Sequence, residues 1–301
     1  MEAEYLKVKV PATSANLGAG FDVFGIALDM PFDIIDVERS DRIEIIIKGR
    51  DSKYVPLLPR KNTAGIVASL LGKNVKITIN RNIPLSSGLG SSAAPAAGIA
   101  FALNEMYALG LSREELVNIA AQGEKVASGA AHADNVAPAI YGGFVIVHKD
   151  KIISLNPSNI GIVAVHPEII VSTRTARAIL PKRLTLSDIS FNTANAASMV
   201  VGMMNSDIKL IGESMENRVI EKVRSTLIKG YAQVKKSALD AGAAGVTISG
   251  SGPTMIAVCR MDERDKIAKA MTESFSKSHI RSEAFITTIG KGIEIIDDKP
   301  A

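Results

Sequence analysis

The 301-residue chain has no tryptophan, one cysteine and only 4% aromatic residues. Without an aromatic platform it lacks the means to stack unpaired bases, which argues against single-stranded nucleic acid as a partner. A single cysteine, Cys259, cannot close an internal disulfide, as befits a reducing compartment. Its strand-like apolar surroundings make it a small core residue rather than a nucleophile. There is no basic block either. The 35 Lys and Arg are interspersed with 31 Asp and Glu, for a net charge of +4. That balance offers no basic stripe to nucleic acid and suits an anionic small molecule at least as well. The longest uncharged apolar run, Ala93 to Leu103, is too short to cross a bilayer and contains Pro95 and Gly98. No signal-peptide core is seen at the N-terminus. The expectation is a cytoplasmic globular protein with no membrane contact. Its 47% hydrophobic and 22% charged residues fit that class, and its length suffices for one large or two modest domains.

Small residues are what the chain has instead, in three blocks. Pro84 to Ala94 reads Pro-Leu-Ser-Ser-Gly-Leu-Gly-Ser-Ser-Ala-Ala, between a strand-like Val75–Ile79 and a helical apolar run. Glycines here let the backbone take positive φ, and serines at a helix entry cap free N–H groups. Such a loop aims bare amides and the positive end of a helix dipole at one point, the signature of a phosphate site. It is not the common P-loop, because no Lys-Ser or Lys-Thr follows its last glycine. Pro95 fits the first helical turn, where an N–H has no partner. Pro11 to Asp22, after a strand-like Leu6–Val10, is the second block, and Gly245 to Ala257, read as strand, glycine turn, strand, is the third.

Between these blocks the pattern alternates. Ile34–Val37 and Ile43–Ile47 read as strands, Thr63–Leu71 and Arg113–Ala127 as helices, and Gly143–Val147 as strand. Ser112 with Glu115 forms a capping-box pattern. A Pro/Asn/Ser/Gly cluster at Leu155–Gly161 marks a seam, giving expected domains of 1–156 and 157–301 in an α+β chain. Beyond it come a strand at Ile162–Val165, helices from Thr173 to Asp240, a helix from Asp262 and a last strand at Ile280–Ile286.

In order and position the three blocks resemble the signature motifs of the GHMP small-molecule kinases. Thr13-Ser14-Ala15-Asn16-Leu17-Gly18 and Gly20-Phe21-Asp22 resemble the homoserine kinase branch. So do His132-Ala133-Asp134-Asn135-Val136-Ala137-Pro138-Ala139, Gly142-Gly143-Phe144 and Arg177-Ala178-Ile179-Leu180-Pro181. The resemblance covers essentially the whole chain. It implies an N-terminal nucleotide-binding domain with a left-handed βαβ crossover and a ferredoxin-like C-terminal domain. It also implies ATP and Mg²⁺ as cofactors, L-homoserine as substrate and a homodimer as the assembly. Another GHMP kinase, of mevalonate or shikimate type, and a non-catalytic nucleotide-binding protein of this fold are the alternatives.

Residue by residue, the expectations are these. Pro84, Leu85, Ser86, Ser87, Gly88, Leu89, Gly90, Ser91, Ser92, Ala93 and Ala94 form the ATP cradle, with the N–H groups of residues 88–92 on the phosphates. Ser92 and Glu124 supply hard oxygens suited to Mg²⁺, with Glu124 one turn before the loop Ser128-Gly129-Ala130. Asn62 lies near the adenine or caps a helix. His132, Asp134 and Asn135 form a polar cluster. His132 is a structural imidazole or a substrate ligand, and Asp134 is a substrate ligand first and a base second. Glu124, Asp134 and Asn135 are the expected catalytic set. Some kinases of the superfamily pair a base Asp with a first-motif Lys, and no lysine lies between Pro11 and Asp22. Arg177 and Arg224 match the family's carboxylate-binding arginines. Asn16 and Asp22 are candidates for the substrate ammonium and hydroxyl, and Ser249–Pro253 supports the pocket.

Overall fold

The computed structural model describes residues 4–128, 131–149 and 151–296. Gly129 and Ala130, in the loop after Glu124's helix, lie outside them. The elements of the first half are β1 (Tyr5–Asn16), β2 (Gly20–Arg39), β3 (Glu44–Gly49), α1 (Thr63–Leu70), β4 (Val75–Arg81), α2 (Ala93–Met106), α3 (Arg113–Ser128), α4 (Ala133–Tyr141), β5 (Phe144–His148) and β6 (Lys151–Leu155). The second half adds β7 (Gly161–Pro167), α5 (Thr173–Ala178), α6 (Leu186–Asn205), α7 (Ile208–Ser214), α8 (Ile220–Arg224), α9 (Tyr231–Asp240), β8 (Gly245–Ile248), β9 (Met255–Cys259), α10 (Arg264–Lys277), β10 (Ser282–Thr288) and β11 (Glu294–Ile295).

A seven-stranded sheet carries the first half, in the order β11-β1-β2-β4-β3 with β5 and β6 branching from β2. Only β3 and β4 run parallel, joined through α1. The helices α1 to α4 pack on one another, and α2 lies against β1 and β2. α2 is built almost wholly of buried small residues. A methyl at Gly98 would sit 2.6 Å from Ile35 and 2.8 Å from Val10. Smallness therefore lets the helix behind the phosphate loop lie directly on the sheet.

The second sheet is four-stranded and antiparallel, ordered β10-β7-β9-β8. With the helices α5–α9 between its first two strands and α10 between its last two, this is the ferredoxin-like arrangement. Alternation along β7 explains its unbroken apolar sequence. Val163 and Val165 join α9 and α10 in one core. Ile162 and Ala164 face the other way, into a core shared with α6, α7 and the first sheet. That shared core binds the two halves together.

Three expectations change. The strand expected at Leu6–Val10 does not stop there. Pro11 to Asn16 continues β1 and pairs with β2, with register shifts after Pro11 and Ala15. Proline, alanine, serine and asparagine give a weak strand signal, and it is burial between β2 and the helices that extends β1 through them. Next, α2 starts with the apolar run at Ala93 but continues past its end at Leu103, to Met106. Last, the chain passes from one sheet to the other between Leu155 and Gly161, but then returns. Ile289 and Lys291 bridge to Leu28 and Gly142, and β11 pairs with β1. We offer the 156/157 division as a proposal for the chain up to β10 only. Among the described residues no helix is long and apolar enough to cross a membrane.

Candidate active site

All three small-residue blocks meet at one cleft of about 800 Å³, open to solvent. Backbone bonds lock them together. Thr13 N–H donates to Leu89 O, Gly250 N–H to Ala15 O, and Thr254 N–H to Ser87 O. Ser249 Oγ donates to Gly88 O at 2.7 Å. The glycines serve this contact. Gly90 has φ +70°, and a Cβ there would lie 2.1 Å from Thr13 Oγ1; at Gly88 (φ +80°) it would lie 2.3 Å from Ser249 O. The backbone that glycine admits is the protein's own.

Ser86, Gly88, Gly90, Ser91, Ser92 and Ala93 line the cleft, as does Leu85. Among the described residues nothing accepts from the N–H groups of Gly88, Gly90, Ser91 or Ser92. They remain free for an anion. The other members of the expected cradle act differently. Leu89 N–H is taken by Ser87 Oγ at 3.2 Å, and Ser87 Oγ itself donates to Pro84 O. Ser87, Leu89 and Ala94 are buried at 0%, 0% and 1% exposure, so they shape the loop from behind. The Leu85 N–H is held by Asp51. Asn62 is the N-cap of α1, accepting from Ala64 N–H while its Nδ2 donates to Pro56 O. Both ends of its side chain are engaged, and it does not line the cleft.

Ser92 precedes α2 but does not cap it through its side chain. Its hydroxyl donates instead to Glu124 Oε1 at 2.5 Å. Glu124 is wholly buried on α3, and its Oε2 meets His132 Nδ1 at 3.2 Å. A hydroxyl and a carboxylate converging at the mouth of an amide-lined loop form a hard-oxygen donor set, which fits Mg²⁺. The Glu124 contact holds the His132 imidazole above its ordinary pKa. Its Nε2 is buried without a partner among the described residues and lies in the cleft wall.

The N-terminus of α4 forms the floor. Gly25 on β2 permits this, since a Cβ there would sit 2.0 Å from Asp134 O. Asp134 is 6% exposed, and burial, followed by repulsion from Asp22, pushes its pKa up to about 6. Asn135 accepts from Thr13 Oγ1 at 3.1 Å. Asn16 donates to Gly250 O at 2.9 Å and accepts from Asp22 N–H at 3.0 Å.

Both arginines arrive from the second half. Arg177 on α5 binds Asp22 through two parallel bonds of 3.0 Å. Both side chains are nearly half exposed, at 43% and 45%. Arg224 ends α8 and is only 4% exposed. It donates to Gly250 O at 2.8 Å and Ala176 O at 3.4 Å, and among the described residues no carboxylate pairs with it. Burial, then the nearby Arg177, lowers its pKa to about 10. Phe21 lies beneath both guanidinium groups. Unforeseen in the sequence were Thr13, which orients Asn135, and Thr173, whose hydroxyl meets that of Ser251, within the expected supporting block, at 3.3 Å on the cleft rim. Both stand inside or beside quoted motifs, which is the one signal they carried.

The GHMP kinases N terminal domain family matches residues 60–143, and the GHMP kinases C terminal family residues 199–277. A homoserine kinase of Methanocella arvoryzae is 52% identical over 292 residues, 97% of each chain. One from Natronomonas pharaonis is 49% identical, covering 96% of this chain and 99% of that protein. The crystal structure of homoserine kinase from Cytophaga hutchinsonii superposes with a TM-score of 0.90 at 38% identity, over 98% of both chains. The structure of L. major mevalonate kinase in complex with R-mevalonate gives a TM-score of 0.77 at 16% identity and so shares the fold. The chain belongs to the homoserine kinases, within the GHMP kinases.

Proposed function

We propose that this chain transfers the γ-phosphoryl group of ATP to the hydroxyl of L-homoserine, giving O-phospho-L-homoserine and ADP on the way to threonine. The observation that carries this reading is Arg224. A buried guanidinium whose hydrogen bonds among the described residues go only to carbonyl oxygens is a desolvated charge awaiting an anion. It shares a cleft with the free amides of a phosphate loop and with the carboxylates of Asp22 and Asp134. Positive and negative groups side by side complement a zwitterion, where a simple hydroxy acid or sugar needs no such pair.

The Asp22–Arg177 pair fits the same substrate. Exposed ion pairs contribute little, so an amino acid can exchange into it, carboxylate to Arg177 and Arg224, ammonium to Asp22 and Asn16. Free N–H groups at residues 88 and 90–92 stabilise charge on the phosphates, and the helix dipole of α2 adds to this. Ser92 and Glu124 would hold Mg²⁺, which supplies charge neutralisation across the phosphates. Asp134 is a substrate ligand, and a carboxyl titrating near 6 is also matched to take the hydroxyl proton. Asn135, held by Thr13, orients the same hydroxyl, and His132 is a further substrate ligand from the cleft wall.

The assembly we propose is a cytoplasmic homodimer that binds neither nucleic acid nor membrane. α6 supports the dimer. It exposes Leu186, Ile189, Val201 and Met204, and Asp188 is its one charged residue. A two-fold contact favours an uncharged face, because like charges would meet across the axis.

A coupled assay of ADP release over L-homoserine, mevalonate, shikimate and sugars tests the activity. Turnover of L-homoserine well above the rest is the expected result, and preference for mevalonate or a sugar overturns the reading. Arg224→Lys should raise KM for homoserine strongly, because an ammonium cannot reproduce the guanidinium fork. Homoserine amide, which lacks the carboxylate, should be less affected by Arg177→Ala than homoserine is. Equal losses for both substrates would mean that Arg177 does not read the carboxylate.

A further inference from the structure

The two groups that flank the amino-acid side of the cleft come from different halves of the chain. Asn16 and Asp22 stand on either side of the β1–β2 hairpin tip, and Arg224 ends α8. They meet at one atom, since Asn16 Nδ2 and Arg224 Nη1 both donate to Gly250 O. Gly250 N–H also donates to Ala15 O, so these bonds fix the base of the hairpin against α8. A second tie, at the tip, is needed to set their separation.

Asn217 supplies one. It is 7% exposed and uses its donors and its acceptor. Nδ2 donates to Gly18 O at the hairpin tip at 2.9 Å and to Asn192 Oδ1 at 3.0 Å. Oδ1 accepts from Val219 N–H at 3.1 Å and Ile220 N–H at 2.7 Å, the start of α8. Asn192 on α6 extends the same hold, donating from its own Nδ2 to Ala19 O at 2.9 Å. The tip is seated directly on the chain before Asn217, for a Cβ at Gly18 would lie 1.9 Å from Met215 O. The links form a closed ring: hairpin, Gly250 O, Arg224, α8, Asn217 and back to Gly18.

We infer that Asn217 is a positioning residue for the phosphoryl acceptor, setting the distance between the hairpin carrying Asn16 and Asp22 and the helix carrying Arg224. Asn192 assists it. Only an amide side chain does this, because the position needs one donor toward the tip, one toward Asn192 and an acceptor toward the helix. This rests on the reading that the hairpin and α8 hold the amino acid. The phosphate loop is not part of the ring, so the nucleotide side should be spared.

Asn217→Asp is the informative variant. A carboxylate still caps α8, and negative charge suits a helix start. The donors are lost, however, and a carboxylate then faces the Gly18 carbonyl. KM for L-homoserine should rise about tenfold or more, as misplaced supporting groups cost, while KM for ATP stays within about twofold. Asn192→Ala should move KM for homoserine the same way by a smaller factor, and it decides the matter if Asn217→Asp does not fold. Thermal unfolding is followed alongside. A merely structural asparagine would lower the melting temperature and leave both KM values of the folded enzyme alone. Unchanged KM for homoserine in the folded variants, or an equal rise for both substrates, overturns the inference. Failure of the wild-type enzyme to turn over homoserine would instead overturn the proposed function, so the two failures are distinguishable.

Discussion

At the scale of single residues, Glu124 and Asp134 carry opposite demands. Glu124 is buried with its two oxygens on Ser92 and His132, which fixes the orientation of its carboxyl group. Glu124→Gln should leave the fold intact and lower turnover on the order of a hundredfold at saturating Mg²⁺, as loss of one charge-stabilising group does. Steady-state kinetics beside circular dichroism would show it, and near-normal turnover would remove Glu124 from the site. Asp134 is held at about 6 against an ordinary 3.8. The folded state therefore resists its ionisation. Stability contributed by the protonated form is full below pH 4 and is lost as pH rises through 6. Asp134→Asn should accordingly stabilise the ligand-free protein at pH 8, by up to ~3 kcal/mol, and the gain should fade toward pH 4. Denaturant melts at both pH values would reveal it, and a pH-independent difference would refute the cause.

At the scale of elements, the proposed nucleotide cradle is the loop before α2, which Asp33 and Arg81 brace from below. Asp33 Oδ1 accepts from the N–H groups of Asn82 and Ile83, at 2.7 and 2.9 Å. Arg81 donates to Ile83 O at 3.3 Å. Above it, Thr13 packs on Gly90. Gly90→Ala should therefore weaken two properties at once. A side chain at φ +70° costs about 1–2 kcal/mol, and its Cβ would push Thr13 aside. We expect a lower melting temperature together with weaker binding of an ATP analogue by calorimetry. Unaltered affinity in a destabilised protein would separate the loop from the nucleotide.

For the whole molecule, the cleft forms because the two sheets share one core. Ile160, Ile162, Ile256 and Val258 pack with Leu17, Ile26 and Leu28, so α5 and α8 are delivered against the hairpin. The exposed face of α6 belongs to this scale too. Val201→Asp with Met204→Asp should convert the expected dimer to a monomer by light scattering, with the cleft untouched. A wild-type chain already monomeric at micromolar concentration would refute the interface.

The sequence by itself determined the elements and the chemistry's raw material. Period-two and period-3.6 patterns placed β4, β7, α1 and α3, because those segments bury one face or both and their residues say so. The glycine-rich blocks marked the cleft, because positive φ and close approach leave glycine few substitutes. Tertiary structure alone decided which backbone those glycines touch, namely one another's motifs. It also made a strand of Pro11–Asn16, whose small residues carry little signal of their own, and set the Ser92 hydroxyl on Glu124 rather than on the end of α2. It buried Arg224, which in sequence has the look of any surface arginine, and paired Arg177 with Asp22 across 155 residues. Contacts of that separation depend on how two sheets pack. No local pattern encodes them, since each partner alone is compatible with many neighbours.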